Sequence, residues 1–220
     1  MQIPLSNLPS SRERTDTADR SPSPLTEAGR RWVDEFVMRP HEGTNRDGAV
    51  CPFVESAMKA QTFLLEEWEV DPDTDAEGLV EVARRMADAF EATDWEGRNR
   101  FLHTLVLVLS GLPEERYRLL DEAHRLVKPE LVDRGLMLAQ FHPHCDERAA
   151  RNPDFQVARA PVPMLAMRRM ALHDVLFLDS DPEWFAAYEQ RYGKRHEQGA
   201  VADPLFAETF AAARDRWNEA

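Results

Sequence analysis

The stretch Phe141-His142-Pro143-His144-Cys145 places three side chains of metal-ligand type close together. An apolar run, LMLAQF, leads into it. Pro143 cannot continue a hydrogen-bonded ladder, so the strand expected there ends at His142. On an extended backbone, residues two apart point to the same side, so His142 and His144 would face one way. Imidazole and thiol groups bind zinc, iron or copper, and His142 and His144, with Cys145 or Cys51, form one candidate set. A single imidazole at a strand end could also be the axial ligand of a haem. The plainer alternative is that His142 bonds a backbone group and closes its own turn.

Arginines follow at once, in RNPDFQVARAPVPMLAMRR. A guanidinium binds carboxylates through paired hydrogen bonds. Arg151, Arg159 and Arg168 are therefore candidates for holding a substrate carboxylate or a haem propionate. Asp146, Glu147, Asp154 and Asp174 are nearby acids that could claim them instead. A third candidate is GAVCPFVESA, where Gly48 and Pro52 bracket Cys51 at the entrance to a helix. A cysteine so placed could be a nucleophile or a ligand. Alternatively, Cys51 and Phe53 plug the helix into the core. The default for the two thiols is a buried Cys51 and a partly exposed Cys145, both reduced. His103 in a Leu/Val strand, His124 in a helix and His196 in a polar turn read as structural. G-x-x-x-x-G-K, G-x-G-x-x-G, H-E-x-x-H and G-x-S-x-G are all absent, which removes the usual support for nucleotide, zincin and hydrolase chemistry.

The elements that must carry these residues can be read from periodicity. Residues 1–24, rich in Ser, Pro, Arg and Asp, read as a disordered tail, and 25–220 as one domain. A short amphipathic helix is expected over 25–37, then a loop through the Cys51 region, then a helical turn. TFLLEEWEV reads as a strand. Asp75 caps a helix over 76–92, in which Leu79, Ala83, Met86 and Phe90 form a core-facing stripe. The run RFLHTLVLVLSGL reads as a strand buried on both faces. Pro113 opens a helix reaching about residue 127. LMLAQFHP is a third strand, and VPMLAMRRM is either a fourth strand or a helix start. Asp181 and Pro182 open another helix, and a last one spans 204–217. The expected fold class is α+β: a single domain with a central mixed or antiparallel sheet of about four or five strands, flanked by helices.

Composition narrows the partners. The chain has 220 residues, is 43% hydrophobic and carries a formal net charge of -13. That charge disfavours nucleic acid and anionic membranes as partners. No apolar run is long enough to span a bilayer and no signal-peptide core opens the chain, so a cytoplasmic protein is expected. Against the acidic background, Arg148, Arg151, Arg159, Arg168 and Arg169 form a basic cluster.

Taken together, Arg31-Trp32, Pro40-His41, Arg46 to Val54 and the stretch from Phe141 to Arg168 resemble a family of small bacterial proteins often encoded beside natural-product biosynthesis genes. The layout also distantly resembles the YqcI/YcgG family, which includes haem-dependent N-hydroxylases of amino-acid guanidino or amine groups. Cys51-Pro52-Phe53 and Phe141-His142-Pro143 are the counterparts of its motifs. The segment after His-Pro departs from that pattern, and Arg151-Asn152-Pro153 stands where the family has Asn-Pro-His. The resemblance implies a haem-dependent oxidative enzyme acting on a small amino-acid-like substrate. His142 would be the axial ligand. Cys51, Phe53, Arg151 and Arg159 would lie against the cofactor, and Arg159 and Arg168 would hold a carboxylate. A non-haem metalloenzyme using His142 and His144, and a non-catalytic binding protein, are the alternatives. The oligomeric state stays open, a homodimer among the options. The loop from Val50 to Phe53 is expected to pack beside the Phe141 to Arg168 segment, which would place Cys51 near His142.

Overall fold

The computed structural model describes residues 22–218, and all but the last three residues of the tail expected over 1–24 lie outside the described residues. Ser23 accepts a hydrogen bond from the Thr26 amide and Pro24 occupies the first turn of α1 (Pro24–Trp32), the usual chemistry of a helix start. The helix widens into a single π-type segment, Val33–Val37. Residues 38–53 form the expected loop, followed by the short α2 (Val54–Lys59).

Strand β1 (Phe63–Glu69) leads to α3 (Ala76–Ala92), whose first turn is capped by the Asp75 carboxylate through the Gly78 amide. Such a cap contributes about 1 kcal/mol. Strand β2 (Thr104–Ser110) is buried along almost its whole length. Helix α4 (Leu119–Asp133) runs past the expected end and contains Pro129. It continues because Leu131 and Val132 bury beyond the proline, and their transfer from water outweighs one lost backbone bond. Strand β3 (Leu136–Phe141) follows Gly135, whose φ of 72° suits the turn. A small hairpin, β4 (Arg148–Ala149) with β5 (Asn152–Gln156), was not foreseen; it is short, half-exposed and lacks apolar alternation. VPMLAMRRM resolves as a strand, β6 (Met164–Arg169). Three helices close the chain: α5 (Val175–Leu178), α6 (Pro182–Glu197, capped by Asp181) and α7 (Pro204–Asn218).

The sheet order is β1-β2-β6-β3. β1 and β2 are parallel, and β6 runs antiparallel between β2 and β3. This is the expected mixed α+β architecture. Side chains alternate across the pleat. Leu105, Leu107, Leu109, Leu165 and Met167 point toward α3 and α4 and form the main core. Each contributes roughly 1.5–3 kcal/mol by burial. A second cluster, around Phe185, Tyr188 and Phe210, fastens α5, α6 and α7 to the β3 side of the sheet.

Candidate functional site

The other face of the sheet is only partly covered, and its strand register sets out what lies there. One row across the strands is Phe63–Thr104–Arg168–Met137, the next Leu65–Val106–Ala166–Ala139, and the third Glu67–Val108–Met164–Phe141. Helix α1 seals the third row. A Cβ on Gly29 would lie 3.0 Å from the Met164 sulfur and 3.2 Å from Val108, so a side chain there crowds both neighbours and glycine gives the helix its closest fit. Trp32, at the end of α1, packs on Phe141 with ring centroids 5.2 Å apart. Over the first two rows the short α2 reaches Phe63, and the two alanines of the second row leave space.

That space is a cavity of about 820 Å³, within the range typical of small-molecule sites. Its roof comes from the Val33–Val37 segment, the loop carrying Arg46, Cys51 and Phe53, the β4–β5 hairpin, and the turn with His173. It also reaches round the edge strand β3 to His124 and Lys128. Stretches far apart in sequence are pinned together here. The Asn152 amide donates to the Gly43 carbonyl at 2.8 Å, and His41 stacks on Phe155 at 4.6 Å. Most of the segments singled out as motifs therefore meet around one hollow.

At the first row the polar groups are tightly organised. Asp174, fully buried, accepts from Arg168 at 2.6 and 2.7 Å and from the Ala171 amide at 2.7 Å. Burial pushes the Asp174 carboxyl up, but the Arg168 charge and hydrogen bonds outweigh it and hold it below the usual carboxylate range. Arg168 also donates to Nε2 of His173 at 3.1 Å, while Phe53 stacks on that ring at 5.0 Å and lies 5.5 Å from the guanidinium carbon. Asp174 Oδ1 lies 3.3 Å from the same Nε2. A guanidinium has no acceptor, so Nε2 must accept and the ring proton sits on Nδ1. Burial pushes the His173 pKa down to about 4, opposed by Asp174 and helped by Arg168 and Arg46. The imidazole is neutral at physiological pH.

His142 has a different environment. The alternation of β3 turns it away from the hollow, toward α4, and it is fully buried. The His144 amide donates to its Nδ1 at 3.2 Å, which leaves the proton on Nε2, facing both Asp121 oxygens at 3.1 Å. Neither nitrogen keeps a free lone pair. Cys145 lies in the same network, 3.7 Å from Asp121, and burial with the nearby carboxylate pushes its thiol up to about 12. Asp121, His142 and Cys145 do bring ligand-type atoms within 4.8 Å of one another. As it stands the set is a closed hydrogen-bond network, and a cation would have to displace the Nε2 and thiol protons to bind there. The His144 side chain takes no part and bonds Glu114 at 3.0 Å.

The remaining candidates divide. Cys51 and Phe53 line the cavity. Arg151 lines it too but is paired with Asp203. Arg159 lies outside the cavity lining, donating to the Cys145 carbonyl and to Asp146. Arg168 is inside, with its carboxylate supplied by Asp174. The expected burial of the thiols is reversed, Cys145 being buried and Cys51 partly accessible, because Cys145 turns in toward α4 while Cys51 borders the hollow. Cys51 lines the cavity and His142 does not, so the single site expected to unite them is two separate places. His173, Arg46 and Asp121 were not foreseen. A His-Asp pair five residues after an arginine is too common to stand out, and only the strand register puts it over a hollow. His103, His124 and His196 bond the Gly97 carbonyl, the Leu138 carbonyl and the Tyr188 hydroxyl, in keeping with structural roles.

Among the described residues, no helix is long and apolar enough to cross a membrane. No curated protein and no solved structure matches the chain. One family model matches residues 26–203, which takes in most of α1, the whole sheet and the cavity lining apart from Phe206. The chain belongs to that family, described as a domain of unknown function, DUF6875.

Proposed function

We propose that this protein takes a small organic molecule with an apolar body into the cavity over the Ala139–Ala166 row and acts on it there. The observation that carries this reading is the hollow itself. A sheet face beside α1 would ordinarily be filled by large side chains, yet here two adjacent strands place alanine and the roof arches over them. Filling the row tests it. Compounds that bind raise the unfolding temperature of the native protein in proportion to occupancy. Ala166→Leu should fold, yet lose the response to every such compound. If no compound of a broad organic library stabilises the native protein, or if the variant responds as strongly, the cavity is not the site.

Haem-dependent oxidation is the second reading, favoured by the size and apolar walls of the cavity. Haem would supply the oxygen chemistry. His142 does not fit as its ligand, since both nitrogens are engaged and the ring faces α4. On the cavity wall, Cys51 offers sulfur near the Arg168 charge, and the proton on Nδ1 makes His173 the poorer choice. Added hemin should then give a Soret band that survives in His142→Ala and is lost in Cys51→Ser. If no band forms, this second reading fails.

A further inference from the structure

We propose that the ligand of the cavity is an organic anion, and that its negative end is held by Arg46 together with the Nδ1–H of His173. This rests on the cavity being the binding site and adds the chemical class of what it takes.

Comparing the cationic groups around the hollow singles out Arg46. Arg168 is neutralised by Asp174, and Arg151 by Asp203. Lys128 donates to the Phe177 carbonyl and sits 3.8 Å over the Trp184 ring. Arg148 and Arg195 are exposed at the rim. Arg46 is half-buried and donates only to backbone carbonyls: Asp47 at 3.0 Å, and Ala49 and Val50 at 2.6 Å each. Those three bonds fix the guanidinium but leave its charge uncompensated, since among the described residues no carboxylate pairs with it. They use both Nη2 hydrogens and one on Nη1. The Nε–H and the other Nη1–H remain for a ligand.

His173 supplies a second donor in a fixed direction. Its Nε2 is committed to Arg168, while Phe53 covers one face and Phe177 meets it edge-on at 6.4 Å. Its Nδ1–H has no partner among the described residues, and the atom is not among those sealed from solvent. Arg46 and His173 line the same cavity, near enough for the Arg46 charge to act on the imidazole, and a half-buried cation with an oriented neutral donor is a set that recognises oxyanions through charge-assisted hydrogen bonds. The floor below is Val106 and Ala166, so the body attached to the anion is apolar. A cavity richer in arginine than in acid stands out in a chain of net charge -13, because the surrounding acid repels anions that find no such site.

Displacement of Nile red, a neutral dye, by octanoate, octan-1-ol and octylammonium tests the proposal, since the three share one tail. In the native protein at neutral pH, octanoate should compete at about a tenfold lower concentration than octan-1-ol, the gain expected of a charged hydrogen bond. Octylammonium should be the weakest. Arg46→Met and His173→Phe should each bring the octanoate-to-octanol ratio toward one. Circular dichroism checks that both fold; should Arg46→Met not fold, Arg46→Lys, which keeps the charge, should retain part of the preference while His173→Phe loses it. An octanoate no better than octanol in the native protein, or a ratio unmoved in these variants, overturns the anion proposal. If Nile red itself does not bind, the cavity reading falls with it.

Discussion

His142 and His173 show how far two histidines can differ in availability. His142 is surrounded on every side: its Nδ1 takes a backbone proton, its Nε2 proton faces Asp121, and Gln140 and Cys145 complete the network around that carboxylate. His173 is engaged at one nitrogen only and borders a hollow. Removing the first should therefore damage the fold and leave the cavity's chemistry alone. His142→Ala deletes a fully buried ring and strands the Asp121 carboxylate, so a loss of about 2–4 kcal/mol is expected in urea unfolding. Nile red affinity below the unfolding transition should stay within about twofold of native. Lost binding with unchanged stability would place His142 in the site instead. The residue type was legible in the sequence but its role was not. A histidine before a proline at a strand end serves either purpose, and the choice depends on which face of β3 the pleat gives it, and so on the partner strand.

At the scale of elements, what local chemistry specifies was legible. Asp75 caps α3, the Leu and Val run of β2 is central, and Asp181 with Pro182 opens α6, as their side chains dictate. What depends on long-range pairing was not. The insertion of β6 between β2 and β3, the β4–β5 hairpin and the extension of α4 beyond Pro129 all follow from contacts distant in sequence. The cavity belongs to this second group, since its floor exists only once three strands are in register. The closeness of α1 to the sheet depends on one such contact. A valine at position 29 would press on the Met164 sulfur and on Val108, and since both are wedged in the third row, the helix must lift. Gly29→Val should cost about 1–3 kcal/mol. Gly29→Ala sets a smaller clash against a gain of about 1 kcal/mol in helix propensity and should be close to neutral. Thermal unfolding of the pair checks this; equal losses in both would mean that helix α1 is held by something other than its fit at Gly29.

The whole molecule is acidic, yet the groups that should control its response to mild acid are histidines. Burial holds His124 and His173 at about 4, against an ordinary value of about 6.5, and pushes His196 the same way. A histidine whose folded pKa is depressed favours the folded state while it stays neutral. Above pH 6.5 neither state binds the proton, and these groups give no pH dependence. For His124 and His173, between 6.5 and about 4 the unfolded chain is protonated and the folded one is not. Stability then falls on acidification by roughly 1.4 kcal/mol per pH unit for each of these two. Below about 4 both states are protonated and the slope from these groups vanishes. Asp174, held below its ordinary value by Arg168, loses its contribution only at more acid pH and does not mask the effect. Urea midpoints should therefore be level near neutrality and fall steeply through the slightly acid range. His173→Gln and His124→Gln, whose amides do not titrate, should each remove part of that slope, and the double variant most of it. A midpoint level down to pH 4, or a slope indifferent to both substitutions, would mean that these imidazoles are not kept neutral. The neutral donor that His173 offers the cavity would then have to be reconsidered with them.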